Sequence, residues 1–386
     1  MKINRIAARC AALAVCASIS AFPALAGSPE FAYSEEKWAA LRDDRLEFEE
    51  IADLVHEYNN TVIQNQIAYK DELDKTSDDI AQEYYDAADR IYSNIEYPDS
   101  DAADYGSRMS AALSNELSAE QMMERGDESV EDSETMKLGY DQTEATLVKQ
   151  AQTQMISYWS QYYSLDSLRD RISQAESSYR SEETRMAAGM STQAKLLSAK
   201  ESISTAEASL RSAESSLVKT KEDLCLMLGW KYGAVVEIGE IPEPDMERIA
   251  AINLEEDIQK ALENNYSLKL TNKRVKNART DKVKATQQQT QKNQTEAIAA
   301  SVRDSYESLI LAQSNYEQAQ QAYALEVNTY ETAKRKLQAG TMTPNNYQKQ
   351  ESSCLAAEVT VRTRKLQLVQ AMINYDWAVN GLASAS

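Results

Sequence analysis

A period of seven runs through this chain twice, on both sides of two glycines, Gly189 and Gly340, that stand 151 residues apart. Ala151, Tyr158, Leu165, Ile172, Tyr179 and Met186 lead to the first glycine, and Leu196, Ile203, Leu210, Leu217 and Leu224 follow it. Val302, Leu309, Tyr316, Tyr323, Tyr330 and Leu337 lead to the second, and Tyr347, Cys354, Val361, Leu368 and Tyr375 follow. Seven residues slightly underfill two helical turns, so a strict repeat of seven specifies helix seams with a left-handed supercoil. Several positions three residues further on are alanine (Ala199, Ala206, Ala213, Ala312, Ala319, Ala333), which lets paired helices approach closely.

The glycines punctuate the repeat. Each suits the left-handed residue that ends a helix, and the threonine three residues later, Thr192 or Thr343, suits the N-cap of the next. Pro344 fits a first helical turn. Each copy therefore reads as an antiparallel helical hairpin with arms of about 36 to 45 residues, or roughly 55–67 Å. Between the copies, residues 230–250 break the pattern with Gly233, Gly239, Pro242 and Pro244, and read as a linker carrying one short strand near Ala234 to Ile238. The expected organisation is a first hairpin repeat at 27–229, the linker at 230–250 and a second repeat at 251–386. Leu254 to Leu270 opens the second repeat with a helix, and Ile51 to Ile63 is its weaker counterpart, with Asn59-Asn60 echoing Asn264-Asn265. The first repeat alone contains a Ser- and Asp-rich acidic stretch at 96–145, expected to be an exposed, partly mobile insertion.

Composition agrees with long solvated helices. There are only 10 Gly and 6 Pro in 386 residues, and 21 Tyr against three Phe. A Tyr ring buries its body while wetting its hydroxyl, which fits shallow helix seams. Residues 1–26 read as a signal peptide: Lys2, Arg5 and Arg9, an apolar run from Ala11 to Ala21, and Ala24-Leu25-Ala26 as the cleavage site. That run is shorter than the roughly 20 residues a spanning helix needs. A lipidated Cys16 is disfavoured by the large Val15 before it. The net charge is −20, with −26 on residues 27–250 and +3 on 251–386, so nucleic acid is an improbable partner. After cleavage only Cys225 and Cys354 remain, too few for a disulfide framework.

With its tandem halves, its Gly-x-x-Thr turns at Gly189–Thr192 and Gly340–Thr343, its Ala-rich heptads and the segment Ala261-Leu262-Glu263-Asn264-Asn265, the chain resembles the TolC family of outer-membrane efflux proteins from about Leu46 to Gly381. The resemblance implies an all-α fold of tandem coiled-coil hairpins, with little or no β structure, closing as a homotrimer into a helical tube. It implies an efflux or export conduit that docks through its hairpin tips on a periplasmic adaptor (a membrane fusion protein) and an inner-membrane pump. Carried over, the docking residues are Gly189, Met190, Ser191 and Thr192, and Gly340, Thr341, Met342 and Thr343. Location in the cell envelope, at the outer membrane, follows from the same resemblance.

Two departures stand out. Family members insert barrel strands into each half, and a spanning strand needs about 9–11 residues of alternating apolar character. Here Lys282 to Asn293 is Gln, Lys and Thr, and the acidic stretch shows no alternation either, so a shortened member without the barrel strands is expected and membrane contact stays open. Some members also ring the closed pore with carboxylates just past the tips. Those places hold Lys195, Ser198, Asn346 and Lys349.

Catalytic chemistry finds no footing. His56 is the only histidine, and no His/Cys cluster, nucleophile elbow or phosphate loop is present, so neither an enzyme nor a cofactor or metal site is expected. The alternative to a conduit is an exported coiled-coil scaffold or spacer without transport. A periplasmic adaptor ranks last, because adaptors flank a single hairpin with β-rich domains.

Overall fold

The computed structural model describes residues 32–385; the signal-peptide segment lies outside them. The first half opens with α1 (Glu35–Leu41), a two-residue strand β1 (Arg45–Leu46), and two short helices, α2 (Ile51–Tyr58) and α3 (Asn60–Glu72). A pair follows, α4 (Ser77–Ser93) and α5 (Tyr105–Glu128), and then the long hairpin of α6 (Ser133–Ala187) and α7 (Gln193–Met227). The linker carries β2 (Glu237–Ile238) and α8 (Met246–Ala250). The second half repeats the scheme with α9 (Leu254–Asn264), α10 (Tyr266–Asn277), α11 (Asp281–Gln338) and α12 (Pro344–Trp377).

The ascending arms α6 and α11 have 55 and 58 residues, roughly 80–90 Å each, and the returning arms α7 and α12 have 35 and 34. The ascending arms are longer than the glycine-centred repeat alone suggests. Below the returning arms, the short pairs α2–α3 and α9–α10 pack on α6 and α11 respectively. The heptad positions lie on the buried seams. Leu165, Leu224, Val302, Leu309, Leu368 and Tyr375 are all buried.

Each short pair was expected as one helix, and a single asparagine breaks it. Asn59 ends α2 and caps α3, its Oδ1 accepting the Thr61 and Val62 N–H groups at 2.9 and 3.4 Å. Its Nδ2 donates to the carbonyl of Met227, the last residue of α7, at 2.8 Å. Asn265 does the same in the second half, accepting the Leu268 N–H at 3.0 Å and donating to the Ala383 carbonyl at 2.9 Å. The true structural equivalents are thus Asn59 and Asn265, one residue away from the pairing that the Asn-Asn echo suggests.

Two apolar clusters result. One joins Leu46, Ile51, Leu54 and Val55 to Met155, Leu224, Leu228 and Val236; Leu366, Val369 and Ile373 of α12 belong to it and lock the halves together. The other joins Ile258, Ala261 and Leu268 to Ile298, Val302, Leu309 and Leu368. Each fully buried Leu or Ile contributes roughly 1.5–3 kcal/mol. The linker seals the first cluster through the β1–β2 pair, which is parallel, with Arg45 opposite Glu237 and Leu46 opposite Ile238.

The acidic stretch is more ordered than its composition suggests. It holds α5 and the first turns of α6. Helices α4 and α5 pack on each other with Ala81, Ala88, Ala112 and Ala119 buried, and Gly126 leaves room for the Tyr85 ring. The root of this pair is pinned by Arg279, which donates to the Ser129 carbonyl at 2.7 Å, to the Ser77 carbonyl and to Asp78. Asn277 adds bonds to the Val130 carbonyl and Asp132, both at 2.9 Å. In the second half, residues 282–293 are the opening turns of α11. Both places where barrel strands would fall hold helices and loops, with no strand at either among the described residues. The only strands among the described residues are β1 and β2, and no described helix is long and apolar enough to cross a membrane.

Candidate docking tips and conduit wall

The eight residues singled out at the glycines occupy two turns of closely matching geometry. Gly189 has φ +69° and Gly340 has φ +71°. In the first turn the Met190 N–H donates to the Arg185 carbonyl at 2.8 Å and the Gly189 N–H to Met186 at 2.9 Å. In the second, Thr341 donates to Lys336 at 2.9 Å and Gly340 to Leu337 at 3.0 Å. This double bonding satisfies the last carbonyls of α6 and α11. Thr192 and Thr343 then accept the Lys195 and Asn346 N–H groups and start α7 and α12. A Cβ at either glycine would meet nothing within 4 Å, so backbone angle rather than crowding calls for glycine here.

The structure brings the residues together four by four, and places both turns at one end. Helix α6 runs toward its turn and α12 away from its own, and they pack antiparallel: Gln370 donates to Thr153, Ser352 to Asp170 at 2.8 Å, and Gln348 to Ser173. At the tips, Met190 is 66 % exposed. Ser191 donates to Glu182, which also pairs with Arg185 at 3.1 Å. Near the second tip the Tyr330 and Tyr347 hydroxyls lie 2.8 Å apart, and that bond pushes Tyr330 well above the usual phenol range.

The four long helices form a layer in the order α7–α6–α12–α11. One face carries the linker, held by the Trp159 N–H on the Gly239 carbonyl at 2.8 Å and by Lys365 on Glu243. The other face is hydroxyl and amide. Thr153, Ser157, Ser160, Thr363, Gln367, Gln370 and Asn374 line one groove between α6 and α12. On α7, Ser198, Ser202, Thr205, Ser209, Ser212, Ser216 and Thr220 recur every three or four residues and so share a stripe. Gln161 of α6 donates to Thr220 at 3.0 Å, which joins that stripe to the same face. Heptad reading alone passed over this stripe, because its signal lies in the polar positions. Among the described residues no group of His, Cys, Asp and Glu has the makings of a metal site.

No protein-family model matches the chain, and neither does any curated protein. Solved structures do. The outer membrane protein VceC of Vibrio cholerae matches with TM-score 0.52 at 12% identity, over 86% of this chain and 96% of that one. The transmembrane channel protein CusC matches with TM-score 0.51 at 13% identity, over 93% and 98%. A membrane protein of Pseudomonas aeruginosa matches with TM-score 0.50 at 13% identity, over 86% and 93%. The chain has the helical-hairpin fold of TolC-type outer-membrane channels, as the resemblance implied.

Proposed function

We propose that this chain is the non-enzymatic subunit of an efflux or export conduit of the cell envelope. Three copies close into a helical tube, and the tips at Gly189–Thr192 and Gly340–Thr343 dock on a periplasmic adaptor coupled to an inner-membrane pump. The observation that carries the reading is the pair of unfilled edges on the hairpin layer. Helix α7 exposes Leu197, Val218 and Leu226, and α11 exposes Leu311 and Leu325. Val218 stands 29 residues after Gly189 and Leu311 stands 29 before Gly340, so apolar side chains meet at equal height when one copy's α7 edge is laid on the next copy's α11 edge. That contact is head-to-tail, and a head-to-tail contact whose rotation closes makes a ring. A scaffold needs no such matched pair of edges.

The test is the mass of residues 27–386 by light scattering, with negative-stain images of the same sample. A hollow trimeric rod is expected. In a Cys225→Ser, Cys354→Ser background, Val218→Cys with Leu311→Cys should give a covalent ladder up to three chains on oxidation. A monomer, or a solid rod, would put the scaffold in its place.

A further inference from the structure

We infer that this conduit passes anionic cargo, selected by a collar of unpaired cations, Arg171, Lys349 and Lys195, on the hydroxyl-lined face near the tips. The inference rests on the tube reading above and names its substrate class.

Arg171 on α6 and Lys349 on α12 line the same groove on the face away from the linker, and both are exposed. Neither makes an ion pair among the described residues, in a chain otherwise rich in carboxylates. Asp170, in the same groove, has its oxygens taken by neutral donors: Ser352 at 2.8 Å and Gln174 at 2.7 Å. It is held along the α6–α12 seam by these neutral donors and keeps its own charge, so the groove holds two cations against one anion. Lys195 continues the hydroxyl stripe of α7 toward the tip, three residues before Ser198. The nearby acid Glu182 is engaged by Arg185 and Ser191.

Toward the base the groove changes character. Its lining from Thr153 to Asn374 is hydroxyl, amide and aliphatic, with no charge. Hydroxyls and amides solvate either sign of ion, so they do not discriminate. The sign preference is set where charge stands, and there its net is positive. In three copies the collar holds nine cations against three Asp170 carboxylates, facing a narrow space that concentrates the net positive field and raises the local density of anions. Carboxylates, sulfonates and phosphates share the needed chemistry, with Arg171 able to grip two oxygens at once.

The test uses the assembled protein and pyranine, a trisulfonated dye, by fluorescence anisotropy, against the cationic dye rhodamine 6G. Pyranine should bind at the collar, weakening about tenfold between about 20 and 150 mM salt as screening shortens its reach, while rhodamine 6G reports the acidic base. The triple variant R171Q/K349Q/K195Q should lose at least about tenfold in pyranine affinity, while R171K/K349R keeps it. A hollow trimer that binds no pyranine, or whose triple variant binds it unchanged, overturns the collar and leaves the conduit standing. A monomeric mass on the same sample overturns the conduit, and the collar with it.

Discussion

Asn265→Ala is the perturbation whose outcome follows most directly from the structure. The side chain is 1 % exposed and serves both ends of the second half: it caps α10 through the Leu268 N–H and holds the Ala383 carbonyl after α12. Losing the cap costs about 1 kcal/mol. Leaving a buried carbonyl without its donor costs about 1–3 kcal/mol more. Together that is about 2–4 kcal/mol. Spread over the roughly 2 cal/mol/K per residue of unfolding entropy, it lowers the melting temperature by about 3–5 °C. Asn265→Asp separates the two roles. Aspartate is as good an N-cap as asparagine, yet it cannot donate to Ala383 and sets a carboxylate against that carbonyl. The aspartate variant should therefore be at least as unstable as the alanine variant, and Asn59→Ala and Asn59→Asp should follow the same order through Met227. The assay is urea unfolding followed by far-UV circular dichroism. An Asn265→Asp protein as stable as the wild type would refute the double role and reduce the residue to a cap.

Gly229→Ala should cost far more than Gly189→Ala or Gly340→Ala in the same unfolding assay. All three have positive φ, worth roughly 1 kcal/mol to an alanine, but only at Gly229 would the new Cβ collide, 2.3 Å from the Tyr58 Cβ. Burial pushes the Cys225 and Cys354 thiols upward, so at pH 8 both should alkylate more slowly than a free thiol, with the buried Cys225 the slower of the two by mass spectrometry. The Glu144 carboxylate, 2.8 Å from His56 Nδ1, holds that imidazole above its ordinary value against the opposing pull of burial. Its stabilising effect is therefore full below about pH 6.5 and fades as pH rises through the raised folded value. Denaturation midpoints measured from pH 5.5 to 8.5 should fall through that window in the wild type and flatten in Glu144→Gln.

Periodicity made the tip end of the molecule readable. The heptads, the two glycines and the capping threonines all lie at short, regular spacing, and each of them answers to local backbone geometry. The base was harder. The breaks at Asn59 and Asn265 look like mid-helix polar residues until their amides are seen reaching the ends of α7 and α12, contacts across 168 and 118 residues. The acidic stretch misled for a related reason. Its composition argues against a core, but α4 and α5 bury mostly alanines, with Ile80 and Gly126 beside them, and draw their anchorage from Arg279, some 200 residues away. At the tips, the candidate docking residues could be named from a resemblance. The pairing of Arg171 with Lys349 across α6 and α12 required the register of two helices that no local pattern specifies.

The helix order also sorts charge along the length of the molecule. Residues 32–132, which build α1 to α5 at the base, contain 28 acidic and 8 basic residues, a net of −20. The body is thus electrically lopsided, with a heavily negative foot and net positive tips: residues 180–200 and 330–350 together hold 8 basic and 3 acidic residues. Such a particle turns before it touches. Beyond one Debye length, about 8 Å at physiological salt, it diffuses without preference; inside that distance any anionic surface repels the foot and leaves the tips facing it. Orientation toward an anionic bilayer would then precede any specific contact, and would vanish in high salt.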